Sequence, residues 1–334
     1  MKDIAKRAKV SMMTVSRVIN HSGYVSEATR EAVETAIADL NYRPNLAARS
    51  LINRRSSFVY TIVPDISNPF YADLTKGVEH VARKAGYHMI LSNGHWNEAL
   101  EEEHIEAAQG RMAEGVILVL PKLAEKRIAQ FHRRIPLVVV DKHVRSRSID
   151  SVYVEQDYGA SLAVEHLIAL GHRRIAFLSG PQRIYNSVAR RHGYERALLG
   201  HGIQPDPALV LHGDFSFESG EAAFNVLLGM GADVRPSAVF AASDLMAMGL
   251  MRSAFRHSFR IPEDLSIVGF DDISLSSIIN PPLTTVRHPF IRMGEVAMHR
   301  LLEKINPNAP RAEPKPLVNT LIVRETTGAP RSRT

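Results

Sequence analysis

Ser11-Met12-Met13-Thr14-Val15-Ser16-Arg17-Val18-Ile19-Asn20, with Tyr42-Arg43-Pro44-Asn45-Leu46-Ala47-Ala48-Arg49-Ser50-Leu51 further on, is the part of this 334-residue chain whose reading decides the fold. Val15, Val18 and Ile19 recur at a spacing of three and four, which marks one buried helical face, and Ser11 precedes them as an N-cap whose hydroxyl can accept from an early backbone N–H. Upstream, Ile4, Ala5 and Ala8 put a short apolar stripe on a first helix. Downstream, Ser26 caps a third helix whose Val33, Ala36, Ile37 and Leu40 complete a small core, and Asn41 stands where a C-terminal cap is wanted. Met12, Met13, Ser16 and Arg17 then face outward near the start of the second helix, the position from which a helix-turn-helix presents side chains to base edges in the major groove. A plain helical bundle with a solvated face would share the apolar pattern.

Charge separates the two readings. Residues 1–55 carry ten Lys/Arg against five Asp/Glu, so this small module holds +5 of the chain's +6 and the remaining 279 residues are nearly neutral. A positive excess confined to one module is what phosphate neutralisation requires.

The residues Lys2-Asp3-Ile4-Ala5-Lys6-Arg7-Ala8, Val10-Ser11, Thr14 to Asn20, Val25-Ser26, Thr29-Arg30, Tyr42 to Asn45 and Ala48 to Leu51 resemble the head and hinge of the lactose-repressor/galactose-repressor family of bacterial transcription regulators. The resemblance implies DNA contact through Ser11, Met12, Met13, Thr14, Ser16, Arg17, Asn20, Tyr42, Asn45, Ala48, Arg49 and Leu51, with Leu51 as the hinge residue that wedges into the minor groove. Met12 and Met13 depart from a polar reading pair: neither makes the bidentate hydrogen bonds that discriminate bases, which leaves thymine methyl contacts and shape to them and guanine recognition to Arg17. The first helix lacks the Ser or Thr that caps it elsewhere in the family, so its first turn is expected to fray. Residues 46–53 span only about two helical turns, too short for an isolated helix in water, and need support from a second hinge and from DNA. The other reading is a basic linker that stays coil; Ala47-Ala48 and the lack of Gly favour the conditional helix.

With 45% hydrophobic residues the chain can bury a large core. It has no Cys, which excludes a disulfide scaffold and a thiolate metal site, and neither an export leader nor a long apolar run is expected, so the reading is a cytoplasmic protein with no membrane partner. Asn20-His21-Ser22 has the form of a glycosylation sequon, without meaning inside a DNA-binding turn of such a protein. From Phe58 onward short apolar runs at 58–63, 88–92, 116–120, 137–140, 174–178, 238–241 and 265–269 alternate with amphipathic helices such as 70–85 and 157–170. Repeats of this kind form parallel sheets covered on both faces. The fold class is therefore an all-α helix-turn-helix head with a hinge helix, then an α/β sensor core of two doubly wound, periplasmic-binding-protein-like lobes. The expected domains are a DNA-binding head at 1–45, a hinge at 46–56, and an effector-binding and dimerisation domain at 57–330 with lobe crossings near 155 and 287.

Ligands of such folds sit at the carboxyl ends of the strands. There stand Phe70-Tyr71, Asp141, Asp244 and Asp271-Asp272; carboxylates accept from sugar hydroxyls, Arg190 can donate two hydrogen bonds, and a Phe face such as Phe215 covers a pyranose. Each Asp could equally be a helix cap, and Phe215 could be core. The family resemblance extends to about residue 326 and implies an effector-contacting set of Phe70, Tyr71, Asp141, Asn186, Arg190, Phe215, Asp244 and Asp271. Ile184 stands where some members place a polar contact, which disfavours a ligand needing an anion partner there.

Catalysis has little support: no zinc-binding His pair, phosphate loop or nucleophile elbow is present, Gly229-Met230-Gly231 follows a helix and reads as a turn, and the 15 His residues, His166 and His299 among them, are scattered singly. No metal or cofactor is expected. The chain reads as a homodimeric repressor of a pseudo-palindromic double-stranded DNA operator, switched by a small-molecule effector of the sugar class. Alternatives are a global regulator dependent on a phosphorylated carrier protein, a sugar-binding enzyme, and an exported solute receptor. The polar tail after Val323 lacks tetramerising heptads, which favours dimers. Effector identity, operator sequence, target genes and the sign of the switch are not encoded in any motif.

Overall fold

The structure, a computed structural model, describes residues 1–19, 22–42, 56–146, 148–309 and 317–331. The chain divides into two compact units, Met1–Ser56 and Ser57–Thr334.

In the first unit α1 (Lys2–Arg7), α2 (Met12–Ile19) and α3 (Glu27–Asp39) enclose a core of Ile4, Ala5, Val15, Val18, Val33 and Ala36. Helix α1 begins at Lys2 with no side-chain cap. Ser11 does cap α2, its Oγ accepting from the Thr14 N–H at 3.1 Å. Ser26 occupies the N-cap position of α3, yet its hydroxyl pairs with that of Thr29 at 2.8 Å and makes no backbone cap bond. The end of α3 is a Schellman turn: Asn41 adopts φ +44°, the Asn41 N–H donates to Ala38 O, and the Tyr42 N–H donates to Ile37 O. Leu40, expected in the core, is the exposed C-cap instead.

In the second unit β1 (Phe58–Val63), β2 (His88–Asn93), β3 (Gly115–Val119), β4 (Leu137–Val140) and β5 (Asp150–Val152) form a parallel sheet in the order β2-β1-β3-β4-β5. The second sheet runs β11-β10-β9-β8-β6-β7, from β6 (Ile175–Ser179), β7 (Val210–His212), β8 (Ala238–Ala241), β9 (Ser266–Asp271), β10 (Thr284–Arg287) and β11 (Thr320–Ile322). It is parallel except at its edge, where β11 runs antiparallel to β10. Strands β3, β4, β6, β8 and β9 are buried throughout, as helices on both faces demand.

Helices α4 (Pro69–Lys84), α5 (Glu98–Gly110) and α6 (Glu125–His132) belong to the first lobe, and α7 (Gln156–Ala169), α8 (Tyr185–Gly200), α9 (Phe217–Gly229) and α10 (Asp244–Arg256) to the second. Helix α11 (Phe290–Ile305) returns to the first lobe and packs on α4, β3, β4 and β5. Gly77 and Gly294 permit that contact: a Cβ on Gly294 would lie 2.1 Å from Leu74 O, and one on Gly77 would lie 2.0 Å from Ile291 O. The chain therefore passes between the lobes three times, after β5, after β10 and again between α11 and β11. The third passage was not expected from the sequence.

Candidate effector cleft and DNA-reading face

On the head, Met12 and Met13 are 50% and 66% exposed, and Arg17 is exposed beside them with its stem over Gly23. Ser11 and Thr14 hold each other's hydroxyls at 2.9 Å, so both help to start α2, and Tyr42 packs at the rim of the head core. Arg7 is engaged by Asp39 at 2.9 Å. Tyr24, absent from the expected set, is 91% exposed on the turn between α2 and α3. Asn20, Asn45, Ala48, Arg49 and Leu51, and with them the hinge, lie outside the described residues.

In the sensor unit the carboxyl ends of both sheets border a narrow cavity of about 30 Å³. Asn68, Phe70, Tyr71, Trp96, Leu120 and Asp141 line it from the first lobe, and Asn186, Arg190, Phe215, Ser243 and Asp271 from the second. Of these eleven, Trp96, Leu120, Asp141, Phe215 and Asp271 hold a positive φ. Such costly backbone in non-glycine residues clusters where a site, rather than packing, dictates geometry.

Arg190 is the electrostatic centre. It is only 3% exposed, its guanidinium lies 3.8 Å from the Phe270 ring centroid, its Nε donates to Gln156 Oε1 at 2.9 Å, and its Nη2 stands 3.7 Å from Asp271 Oδ1. Burial lowers the pKa of Arg190 against the pull of Asp271 and Asp141, and burial raises that of Asp271 well above the carboxylate range against the pull of Arg190. Tyr71 is likewise raised by burial, then by Asp141 and Asp271. Asp141 is well satisfied: Gln156 Nε2 donates to Oδ1 at 2.9 Å, Asn186 Nδ2 donates to Oδ2 at 2.7 Å, and His288 Nε2 lies 3.2 Å from Oδ1. Among the described residues Asp271 Oδ1 and Asn186 Oδ1 are buried acceptors without a hydrogen-bond partner.

A model described as bacterial regulatory proteins, lacI family, matches residues 1–45, and one described as a periplasmic binding protein-like domain matches residues 164–327. The ribose operon repressor of Halalkalibacterium halodurans is 36% identical over 326 residues, 98% of this chain and 96% of the relative. Catabolite control protein A of Priestia megaterium is 36% identical over 306 residues, 91% of this chain and 92% of its own length. The chain belongs to the lacI family.

Its fold agrees. The lac repressor dimer bound to operator and the anti-inducer ONPF superposes with a TM-score of 0.86 at 30% identity, covering 98% of each chain. As a lacI-family member this is a sequence-specific DNA-binding regulator and not an enzyme. The sequence reading of its cleft needs one correction. Asp244 is fully buried outside the cavity lining, and its carboxylate is already engaged: the Ile273 N–H and Ser276 hydroxyl donate to Oδ2, the Thr285 hydroxyl to Oδ1. It anchors the segment after β9 and has no free oxygen for a ligand.

Several lacI-family cleft residues were missed. Trp96, the chain's single Trp, follows β2 much as Asp141 follows β4, and that position was a usable signal. Asn68 caps α4 through the Phe70 N–H, and Ser243 caps α10 through the Met246 N–H, so their lining role hides behind capping patterns. Gln156 and His288 gain meaning only once the lobe crossings converge.

Proposed function

We propose that this regulator is a homodimeric repressor whose hold on a pseudo-palindromic operator is set by a small, uncharged, polyhydroxylated ligand in the sensor cleft. One observation carries the ligand class: the residues lining the cavity include two buried oxygens, Asp271 Oδ1 and Asn186 Oδ1, without a hydrogen-bond partner among the described residues. Adjacent hydroxyls supply donors to such oxygens without bringing charge, and burying a polar group unpaired is costly, so a hydroxylated ligand suits these two oxygens. Phe215, Phe70 and Trp96 offer apolar faces beside those acceptors, the pairing a sugar ring requires. The relatives' names support this reading, one being a ribose operon repressor and another a repressor dimer bound to operator and an anti-inducer.

Occupancy would change the angle between lobes and so the fraction of dimers able to seat both heads on symmetric DNA. Met12, Met13 and Arg17 would read the major groove, and residues 46–56 would act as the hinge between head and sensor. Thermal-shift screening against neutral mono- and disaccharides, polyols and sugar acids tests the cleft, since a binder raises the melting temperature by mass action. Neutral hydroxylated compounds are expected to score and sugar acids to fail. Arg190→Ala should abolish the response while leaving operator binding intact; an undiminished response in that variant would overturn the assignment. Gel shifts with the purified protein alone should show operator binding, which separates this reading from a carrier-dependent regulator.

A further inference from the structure

Methionine is spread unevenly between the interior and the surface of this chain. Of its 11 methionines, Met246, Met293 and Met298 are sealed in the sensor core and Met248 and Met251 are buried, whereas Met12 and Met13 are the two most exposed, ahead of Met112 at 42% and Met1 at 39%. The pair stands on the first turn of α2, and neither member belongs to the head core of Ile4, Ala5, Val15, Val18, Val33 and Ala36. Neither starts the helix, a task that falls to Ser11 and Thr14. Two large apolar side chains thus stand in water beside Arg17, on the face from which α2 meets base edges.

We propose that Met12 and Met13 form an oxidation site on the DNA-reading face, at which a hydroperoxide converts the thioethers to sulfoxides and so releases the regulator from its operator, an inference that rests on the major-groove placement of α2.

The chain has no Cys, so reversible two-electron oxidation of a side chain falls to methionine sulfur. Hydrogen peroxide alone balances the step. A sulfur lone pair attacks one peroxide oxygen, an S–O bond forms as the O–O bond breaks, and the proton on the transferred oxygen passes to the departing hydroxide. Sulfur loses two electrons, and the peroxide ends as the sulfoxide oxygen and one water. In the reverse direction a sulfoxide reductase uses a dithiol, which becomes a disulfide as the oxygen leaves in water.

At the groove the change is one of polarity. A thioether fits against a thymine methyl group, whereas a sulfoxide brings a strong acceptor and no donor. Thymine O4 beside that methyl group, and guanine O6 and N7, are themselves acceptors, so the new oxygen either faces another acceptor or is buried unpaired. Two such oxygens should lower operator affinity by at least about tenfold. The head itself survives, because the oxygens are added to side chains outside its core, and the sealed methionines of the sensor are out of reach of the oxidant.

The test treats full-length, DNA-free protein with limiting hydrogen peroxide, maps sulfoxides by peptide mass spectrometry, and measures affinity for a symmetric operator, selected from random DNA, by fluorescence anisotropy. Met12 and Met13 are expected to gain oxygen before Met246, Met293 and Met298, and operator affinity to fall at least about tenfold with the melting temperature unchanged. The two epimer-specific sulfoxide reductases, with a dithiol, should restore it. Met112→Leu should lose affinity as the wild type does; Met12→Leu/Met13→Leu, whatever its starting affinity, should keep that affinity through the same treatment. Undiminished binding by protein oxidised at both positions would overturn the proposal, as would an equal loss in the doubly substituted variant. Should that variant bind no DNA, the wild type decides: bound operator should shield Met12 and Met13 from peroxide while Met112 still oxidises. If operator fails to shield them, the major-groove placement falls and the switch with it. If it shields them and the doubly oxidised protein binds as before, the placement stands and the switch alone falls.

Discussion

Asp244 and Asp271 show how little residue identity says by itself. Both are buried short carboxylates at strand ends of the second lobe, yet one holds a loop through three hydrogen bonds and the other lines the cavity, facing Arg190 across 3.7 Å with no hydrogen bond to its Oδ1. The sequence could place them at strand ends but could not show that Ile273, Ser276 and Thr285 would converge on Asp244. Burial outweighs those three hydrogen bonds and pushes Asp244 up to about 6 from an ordinary 3.8. A folded-state pKa raised in this way means that the group's contribution to stability is fully present below pH 3.8 and is lost as the pH rises through about 6, a change of about 3 kcal/mol. Asp244→Asn, fixed in an uncharged form, should flatten that component: the gap in melting temperature between wild type and variant should shift in the variant's favour from pH 4 to pH 7. A gap independent of pH would show that Asp244 stays ionised.

Helices and strands were legible to the degree that they carry apolar runs. The paired buried faces of α2 and α3 and the central strands β1, β3, β4, β6, β8 and β9 stand out in the sequence because both sides of each strand are covered. Strands β5, β7 and β11 have three residues each and take their conformation from the neighbour they pair with, so no local pattern betrays them. Strand β10 reads Thr284-Thr285-Val286-Arg287, and its buried threonines look polar until the Arg324 N–H and the Thr327 hydroxyl are seen to satisfy the Thr284 hydroxyl, and Asp244 that of Thr285. Capping was legible in kind but not in detail, since Ser11 bonds a backbone N–H and Ser26 does not. Ser11→Ala should therefore destabilise α2 by about 1 kcal/mol, seen as roughly fivefold faster hydrogen exchange of its amides in the intact protein, whereas Ser26→Ala should change α3 less. Equal effects of the two substitutions would contradict the cap geometry.

At the scale of the whole molecule, charge is partitioned: the first 55 residues hold +5 and the other 279 hold +1. Operator affinity should accordingly fall by on the order of 10³-fold between 50 and 200 mM salt, while binding of a neutral effector changes little over the same range; fluorescence anisotropy and calorimetry measure the two. A shallow salt dependence for DNA would show that few phosphates are neutralised. The threefold passage of the chain between lobes also governs when each part can take shape during synthesis. The first lobe needs α11, near residue 300, to cover its sheet, and the second needs β11, near residue 320, to finish its own. Neither lobe is a contiguous segment, so both must wait for almost the entire polypeptide to leave the ribosome, whereas the head has all three of its helices within the first forty residues. A nascent chain can thus carry a finished nucleic-acid-binding module well before it has any means of sensing a metabolite.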